Sequence, residues 1–432
     1  MPLRFFAHFI LISAGILAGA LQAQENQSGS GNPFAQAKFV PDISLILDGS
    51  FNWRDLDDES CESLFLPGFS DAEGDHSAHS HEGMNGRRGF NMNYGELVIS
   101  SIVDPFFDLF VVCHLAEEAF EIEEAYFTTR RMPWGMQLKG GKFLSHFGRL
   151  NSQHTHQWDF FDAPLIYTAL FGESLLNEKG LRITWVAPLD TYLMLGGEIS
   201  QGQNPASFGN EGFSAFDGQI EIKGSDGPNL AVAYAKSSLD IGNLTMLGGL
   251  SCALGKSRLN QGIDEGEPLT RARYGATTIA AADVTLKYLF DSIRYIALQA
   301  EYLHRKSEGD GYFIEPLSAR LFLAAPYRQR QGGFYAQMVG SLNKRIRIGG
   351  RYDRIAQNEV TLPGVTTQVP GHLNRYTAMA EYNPTEFSRL RLQYAHDRSR
   401  YENGLTGYLP KPVNEIILQI NLAIGAHGAH AY

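Results

Sequence analysis

The chain has 432 residues, of which 45 are glycine and 12% are aromatic, with a mean hydropathy of −0.20. Its formal charge of −11 disfavours nucleic acid as a partner. Three cysteines, Cys61, Cys113 and Cys252, are odd in number and far apart, so they make neither a disulfide framework nor a CxxC pair.

Met1 to Arg4 carry one positive charge, Phe5 to Leu21 are almost wholly apolar, and small residues follow. Residues 1–23 therefore read as a secretory signal peptide, cut after Ala18-Gly19-Ala20 or Leu21-Gln22-Ala23. No cysteine stands near the cut to accept a lipid. Removing the segment leaves 409 residues, with a charge of −12 once Arg4 has gone. No later run of about 18 apolar residues supplies a membrane helix, so a membrane protein of this sequence has to be a barrel.

Residues 24–40, opening with "QENQSGSGNPF", read as a periplasmic linker, and residues 41–432 as one barrel domain. In "DISLILDGSFN", Ile43, Leu45, Leu47 and Phe51 alternate with Ser44, Asp48, Ser50 and Asn52, the period of a strand with one wet face. Strand-like segments follow at Met92–Ile102, Phe106–Leu115, Phe120–Thr129, Met136–Phe147, Leu181–Ala187 and Thr191–Ile199. The clearest alternations come later. Ile346, Ile348 and Tyr352 oppose Arg345, Arg347, Arg351 and Asp353. Leu390, Leu392 and Tyr394 oppose Arg389, Arg391 and Gln393. Ile416, Leu418, Ile420, Leu422 and Ile424 oppose Gln419 and Asn421. A soluble sandwich shows the same period with its apolar face inward. The signal peptide, the many segments of about 10 residues and the terminal Tyr432 favour instead an all-β transmembrane antiparallel barrel of about 16 strands.

With the N-terminus in the periplasm, Trp53 to Arg88 becomes the first outer loop. Asp104-Pro105 and "RMPWG" mark short periplasmic turns, and Arg149 to Lys179 becomes the third outer loop, placed to fold inward. The first loop holds "GDHSAHSHE", where His76, His79 and His81 with Asp75 and Glu82 can offer nitrogen and oxygen ligands to zinc or a similar ion. A solvated tract explains the same residues.

In the third loop, an extended backbone would set His154, His156 and Trp158 on one side. Three readings stay open for it. Asn151, His154, Trp158, Asp159 and Asp162 could anchor the loop by hydrogen bonds; His154, His156, Asp159 and Asp162 could line the channel; or the two histidines could bind metal, completed by Asp159, Asp162 or His146. Lys139, Arg182, Arg345, Arg347, Arg351, Arg375, Arg389 and Arg391 fall on wet faces and would attract anions in a lumen, which they share with Glu121, Glu123, Asp353 and Glu381. No GxSxG or comparable nucleophile spacing points to an enzyme. Tyr432 supplies the terminal aromatic that barrel-insertion machinery expects, while "GAHGAHAY" departs from a last-strand pattern, with His427 and His430 as a second metal point or part of a tail.

"GELVISSIVDPFF", "EIEEAYFTT", "GGKFLSHFGRLNSQHTHQWDFFDAPLIYTALFG", "GLRITWVAP" and "GAHGAHAY" resemble porin-like outer-membrane proteins of the phosphate-selective porin superfamily, a group often labelled zinc-regulated (TonB-dependent) outer-membrane receptors. The resemblance is strongest over residues 89–209. It implies a monomeric or homotrimeric barrel in outer-membrane lipid that passes a small solute or a metal ion, with zinc the ion and no cofactor required. The expected protein is thus a porin-like channel narrowed by the loop 149–179, or alternatively a receptor using its loop histidines for a transition metal.

Overall fold

A residue sequence that alternates apolar and polar makes a ribbon with one dry face, and such ribbons lose their open edges only by closing into a ring. The computed structural model describes residues 41–69, 86–116, 120–210, 212–215, 220–224, 227–261, 271–315, 320–361, 369–404 and 407–425. Sixteen strands close the ring. The first seven are β1 (Asp42–Arg54), β2 (Gly89–Ile102), β3 (Phe107–Leu115), β4 (Phe120–Thr129), β5 (Met136–Leu144), β6 (Asn177–Val186) and β7 (Tyr192–Ser200). Then come β8 (Leu230–Ile241), β9 (Leu244–Gln261), β10 (Arg271–Leu289), β11 (Tyr295–Glu315) and β12 (Arg320–Ser341). The ring ends with β13 (Ile346–Thr361), β14 (Leu373–Thr385), β15 (Ser388–Asp397) and β16 (Val413–Gly425). Each strand pairs antiparallel with its chain neighbour, and β16 closes on β1 with Ser44 opposite Gly425 and Arg54 opposite Glu415.

The dry face points outward. Ile43, Leu45 and Leu47 on β1, Leu392 on β15 and Leu418 on β16 are 41 to 56% exposed, while their neighbours Ser44, Asp48, Gln393 and Gln419 are buried inside. Trp134, Phe106, Phe290 and Phe387 stand exposed at the short-turn end, where an aromatic girdle meets the membrane interface. An apolar exterior band around a closed ring is stable only in lipid, so the chain is an outer-membrane β-barrel. Short turns lie at the end that holds Asp42 and Gly425, and long connections at the other.

The strand limits differ from expectation at three places. β5 stops at Leu144, because the chain leaves the wall there and turns inward. β6 begins already at Asn177, whose polar neighbour Glu178 read as loop; the Glu178 carboxylate instead accepts the N–H groups of Gly202, Gln203 and Asn204. Arg345 lies in the turn before β13, exposed, with its N–H donated to Asn343 Oδ1, and it does not line the bore.

The interior holds a second apolar core. The helix Leu165–Phe171, started at Pro164 and ended by Gly172 at φ +72°, has Leu165, Ile166, Tyr167, Ala169, Leu170 and Phe171 buried. They pack with Phe147, Leu150, Trp158, Leu175 and Leu176 against inward-facing Val232, Ala253, Ile279, Leu303, Tyr335 and Ile355 of β8 to β13. Burial of each large side chain contributes about 1.5–3 kcal/mol, so the loop is held as firmly as a domain core holds a helix.

Replacing an outward residue near mid-strand tests the assignment of faces. Leu392→Arg is expected to destabilise the barrel in lipid by about 2–4 kcal/mol, read from denaturant-dependent folding into vesicles, and an unchanged stability would contradict the outward face.

Candidate functional site

The 32 residues between Leu144 and Asn177 form the third connection at the long-loop end, and they enter the barrel. Their two feet are tied together by Asn151, fully buried, whose side-chain amide donates to Ser145 O and Leu176 O while its oxygen accepts the Leu176 N–H at 2.8 Å. From there the backbone turns through Leu150–Ser152 and Thr155–Gln157 in two short 3₁₀ turns, so His154 to Trp158 is not the extended run that the sequence suggested.

Buried backbone groups need partners, and the wall supplies them. Glu301 on β11 is the hub at one side. Its carboxylate accepts the N–H groups of Arg149 at 2.7 Å and Leu150 at 2.9 Å, and the hydroxyls of Tyr167 at 2.7 Å and Tyr335 at 2.5 Å. Gly148, at φ +63°, is required beside it: a Cβ there would stand 2.1 Å from the Tyr167 hydroxyl. Lys236 donates to Gly148 O at 2.6 Å, and the Gly148 N–H goes to Ser251 Oγ at 3.0 Å.

The neighbouring wall, β13 to β15, holds the loop by charge. Asp162 faces two guanidiniums, Arg351 Nη2 at 3.0 Å and Arg375 Nη1 at 2.6 Å, and both arginines also reach Asp353. Their remaining donors go to the carbonyls of Asp162 and Ala163. Gln393 donates to Asp162 and accepts the Phe161 N–H, and Asp353 accepts the Leu165 N–H at 2.9 Å. Asp159 pairs with Arg347, which also holds Glu381 at 3.0 Å. Arg391 donates to Trp158 O at 2.8 Å and to Glu381. Burial favours the neutral form of Asp162, but Arg351 and Arg375 outweigh it and hold its pKa down at about 2.

The histidines occupy a third sector. His154 and His156 stack with ring centroids 5.7 Å apart. His154 places Nδ1 3.0 Å from Glu123 and Nε2 2.9 Å from Glu124, while His156 Nδ1 stands 3.1 Å from Glu96. His114 on β3 completes the group, its Nε2 3.1 Å from Glu123 and 3.6 Å from Glu96. A bulge makes this possible: Val112 pairs with Glu124 and Cys113 with Ile122, so Glu123 is the extra residue and both glutamates face the lumen. Burial opposes a charge on His154, but the hydrogen bonds with Glu123 and Glu124 prevail and raise its pKa well above the usual histidine value.

Placement corrects several expectations. Arg182, Arg351, Arg389 and Arg391 face inward but are at most 4% exposed, because loop and wall cover them; Arg351 and Arg391 anchor the loop rather than line the bore. Arg182 is spent on Glu198 and Leu144 O, and Lys139 sits with Nζ 3.3 Å from the Tyr126 ring centre. The metal set of His154 and His156 with Asp159, Asp162 or His146 is not formed. The aspartates belong to arginines, and His146 packs on Tyr234 in another sector, where burial and then Arg182, Lys236 and Lys139 push its pKa down to about 2. Glu121 is half exposed and paired with Lys142. His76, His79, His81, His427, His430 and Tyr432 lie outside the described residues. Sequence reasoning missed Glu96, Glu124, His114, Glu301 and Tyr335 as site residues; the adjacent pair Glu123-Glu124 in a strand was the available signal, since strict alternation would push one carboxylate into lipid.

No family model matches the chain. A protein of Aquifex aeolicus (strain VF5), described as an uncharacterized protein, is 44% identical over 401 residues, 93% of this chain and 82% of that protein. The chain belongs to that protein's family. Among solved structures, the outer membrane channel DcaP of Acinetobacter baumannii matches with a TM-score of 0.53 at 11% identity, over 90% of this chain and 99% of that one. A loop-deletion form of OmpT, an outer membrane protein of Vibrio cholerae, matches with a TM-score of 0.52 at 11% identity, over 90% and 100%. The anion-selective porin from Comamonas acidovorans follows with a TM-score of 0.50 at 8% identity, over 89% and 100%. These likenesses show the fold: a bacterial outer-membrane barrel of the porin kind.

The Asp162 clamp has a pH signature. Its folded pKa of about 2 lies below the ordinary 3.8, so its contribution is complete above the ordinary value and is lost as the pH falls through about 2. The difference corresponds to roughly 2 kcal/mol. Asp162→Asn is expected to speed hydrogen exchange of the Phe161 and Leu165 amides by about 30-fold at neutral pH and to remove the acid dependence seen in the unsubstituted protein; equal exchange rates would rule out the clamp.

Proposed function

We propose that the protein is a porin-like channel that passes small hydrophilic solutes across the outer membrane, through a bore that the inward loop 145–176 crosses and narrows. The observation that carries this reading is the loop's attachment to opposite walls, at Glu301, Arg351 and Arg375 on β11, β13 and β14 and, on the far side of the ring, at Glu96, Glu123 and Glu124 on β2 and β4. A barrel with a purely structural role has no need to place a firmly anchored segment across its own bore. On the short-turn side of the loop, inward-facing Thr245, Lys287, Ala297 and Gln299 are half-exposed, which suits a wet vestibule leading to the narrow zone.

Anion preference is part of the proposal, with a different origin from the arginine rows. The charges of Arg347, Arg351, Arg375 and Arg391 are matched by Asp159, Asp162, Asp353 and Glu381. Lys139 and Lys287 face the vestibule with their ammonium groups over the Tyr126 and Tyr295 rings, and among the described residues neither forms an ion pair. They are opposed by Asp283, also inward. The Comamonas relative in fold is an anion-selective porin, and the DcaP protein an outer membrane channel. A homotrimer accords with the same reading, as the Vibrio OmpT protein has been solved in a trimer form.

Purified protein in planar bilayers should give small, discrete conductance steps. Asp162→Asn and Glu301→Gln should each enlarge or destabilise the open level by loosening the loop along the wall of β11 to β14. In a salt gradient the reversal potential should favour chloride over potassium, and Lys139→Glu with Lys287→Glu should reduce or invert that preference. No current from correctly folded barrels would overturn the channel reading. A reversal potential untouched by the double lysine change would overturn the assigned selectivity.

A further inference from the structure

The histidine sector carries more than the anchoring of a loop. One ligand atom from each of Glu96, Glu123 and His154 lies within 4.8 Å of the other two. His114 Nε2 approaches the same carboxylates at 3.1 and 3.6 Å. Two atoms here, His114 Nε2 and Glu96 Oε1, are buried without a hydrogen bond. The short nitrogen–oxygen distance at His114 is thus an approach without hydrogen-bond alignment. Donor atoms that converge on one point and leave buried lone pairs unused are what a bound cation would satisfy.

We infer that Glu96, Glu123, His154 and His114 form a binding site for one divalent transition-metal ion of the zinc class, set in the lumen wall where the loop meets β2, β3 and β4. The chemistry of the donor set decides the class. Imidazole nitrogen with carboxylate oxygen suits Zn²⁺, Co²⁺ or Ni²⁺, whereas Ca²⁺ and Mg²⁺ prefer all-oxygen shells. His154 joins the site from the loop and the other three ligands come from the wall, so the ion would cross-link the loop to the barrel. Glu124 and His156 supply the outer partners, on His154 Nε2 and Glu96 respectively. Glu123, His154 and His114 keep side-chain exposures of 13 to 19%, so an ion can reach them from the lumen. Binding at His154 Nδ1 displaces the proton it shares with Glu123 and releases it to solvent. The site does not depend on the protein conducting.

Co²⁺ is the probe. Full-length protein in detergent, stripped with EDTA, should bind one equivalent of Co²⁺ with visible absorption of a mixed nitrogen and oxygen shell, and Zn²⁺ should displace it. The triple variant His76→Asn, His79→Asn, His81→Asn should keep this site. Glu123→Gln and His114→Gln should each weaken binding by at least about tenfold. Loss of the site in the triple variant, or unchanged affinity in both Glu123→Gln and His114→Gln, would overturn the assignment. Folding of each variant is scored by its heat-modifiable migration. Should the wall variants fail to fold, diethylpyrocarbonate modification of the unsubstituted protein decides: Zn²⁺ should protect His154 and His114, and absence of protection overturns the site.

Discussion

A loop that enters a barrel takes with it backbone N–H and C=O groups that water no longer reaches, and each one left unpaired costs about 1–3 kcal/mol. The arrangement of the lumen follows from meeting that demand. Glu301 accepts two loop amides and two tyrosine hydroxyls, Asn151 closes the loop's feet on each other, and the guanidiniums of Arg351, Arg375 and Arg391 cover carbonyls at Asp162, Ala163 and Trp158. Charged wall residues that serve selectivity in an open pore here serve satisfaction of the loop. Their burial is the measure of this: Arg391 is 1% and Arg351 4% exposed, although they stand on the inner face of a barrel.

Charge alone would not centre the loop. The helix Leu165–Phe171 is apolar on nearly every side, and the wall opposite it has exchanged polar inward residues for Val232, Ala253, Ile279 and Leu303. Small and branched side chains at those positions let the helix approach the strands closely, and Tyr167 joins the two kinds of contact by packing in the core while donating to Glu301. The polar hub and the apolar core therefore fix the same short segment, one in direction and one in depth.

Much of the barrel was legible in the residues. Ile43 to Phe51, Leu390 to Tyr394 and Ile416 to Ile424 alternate apart from Ile46 and Ile417, which are buried inward, and the structure points their other large apolar members outward as expected. The position of the third loop could be counted from the turns at Asp104-Pro105 and Pro133. The burial of the arginines could not, because Asp162 lies 189 residues from Arg351 in the chain and nothing local joins them. The interior core left two weak signals, the helical spacing of Leu165, Ile166, Ala169 and Leu170 and the apolar residues at inward positions of β8 to β11. Either one alone reads as ordinary strand or loop composition. The bulge at Glu123 was hidden for a physical reason: period two assigns alternate residues to opposite faces, and only an extra residue in the pairing lets Glu123 and Glu124 share one.

The distribution of anchors also constrains how such a loop can move. Withdrawal from the bore requires contacts at Glu301, Asp162 and the histidine sector to break together, each charge-assisted hydrogen bond there worth about 1.5–3 kcal/mol. A solute path in the proposed channel therefore runs beside the loop, and its width changes by local loosening. The clamps are not equal in this respect. The side chains of Asp162 and Arg351 are 11% and 1% exposed, whereas those of Asp159 and Arg347 are 27% and 20% exposed. Ions in the lumen screen the more exposed pair first, since screening acts on charges that water can reach. In that proposed channel the loop yields at Asp159, where Gln337 of β12 and Arg347 of β13 hold it, before it yields at Asp162.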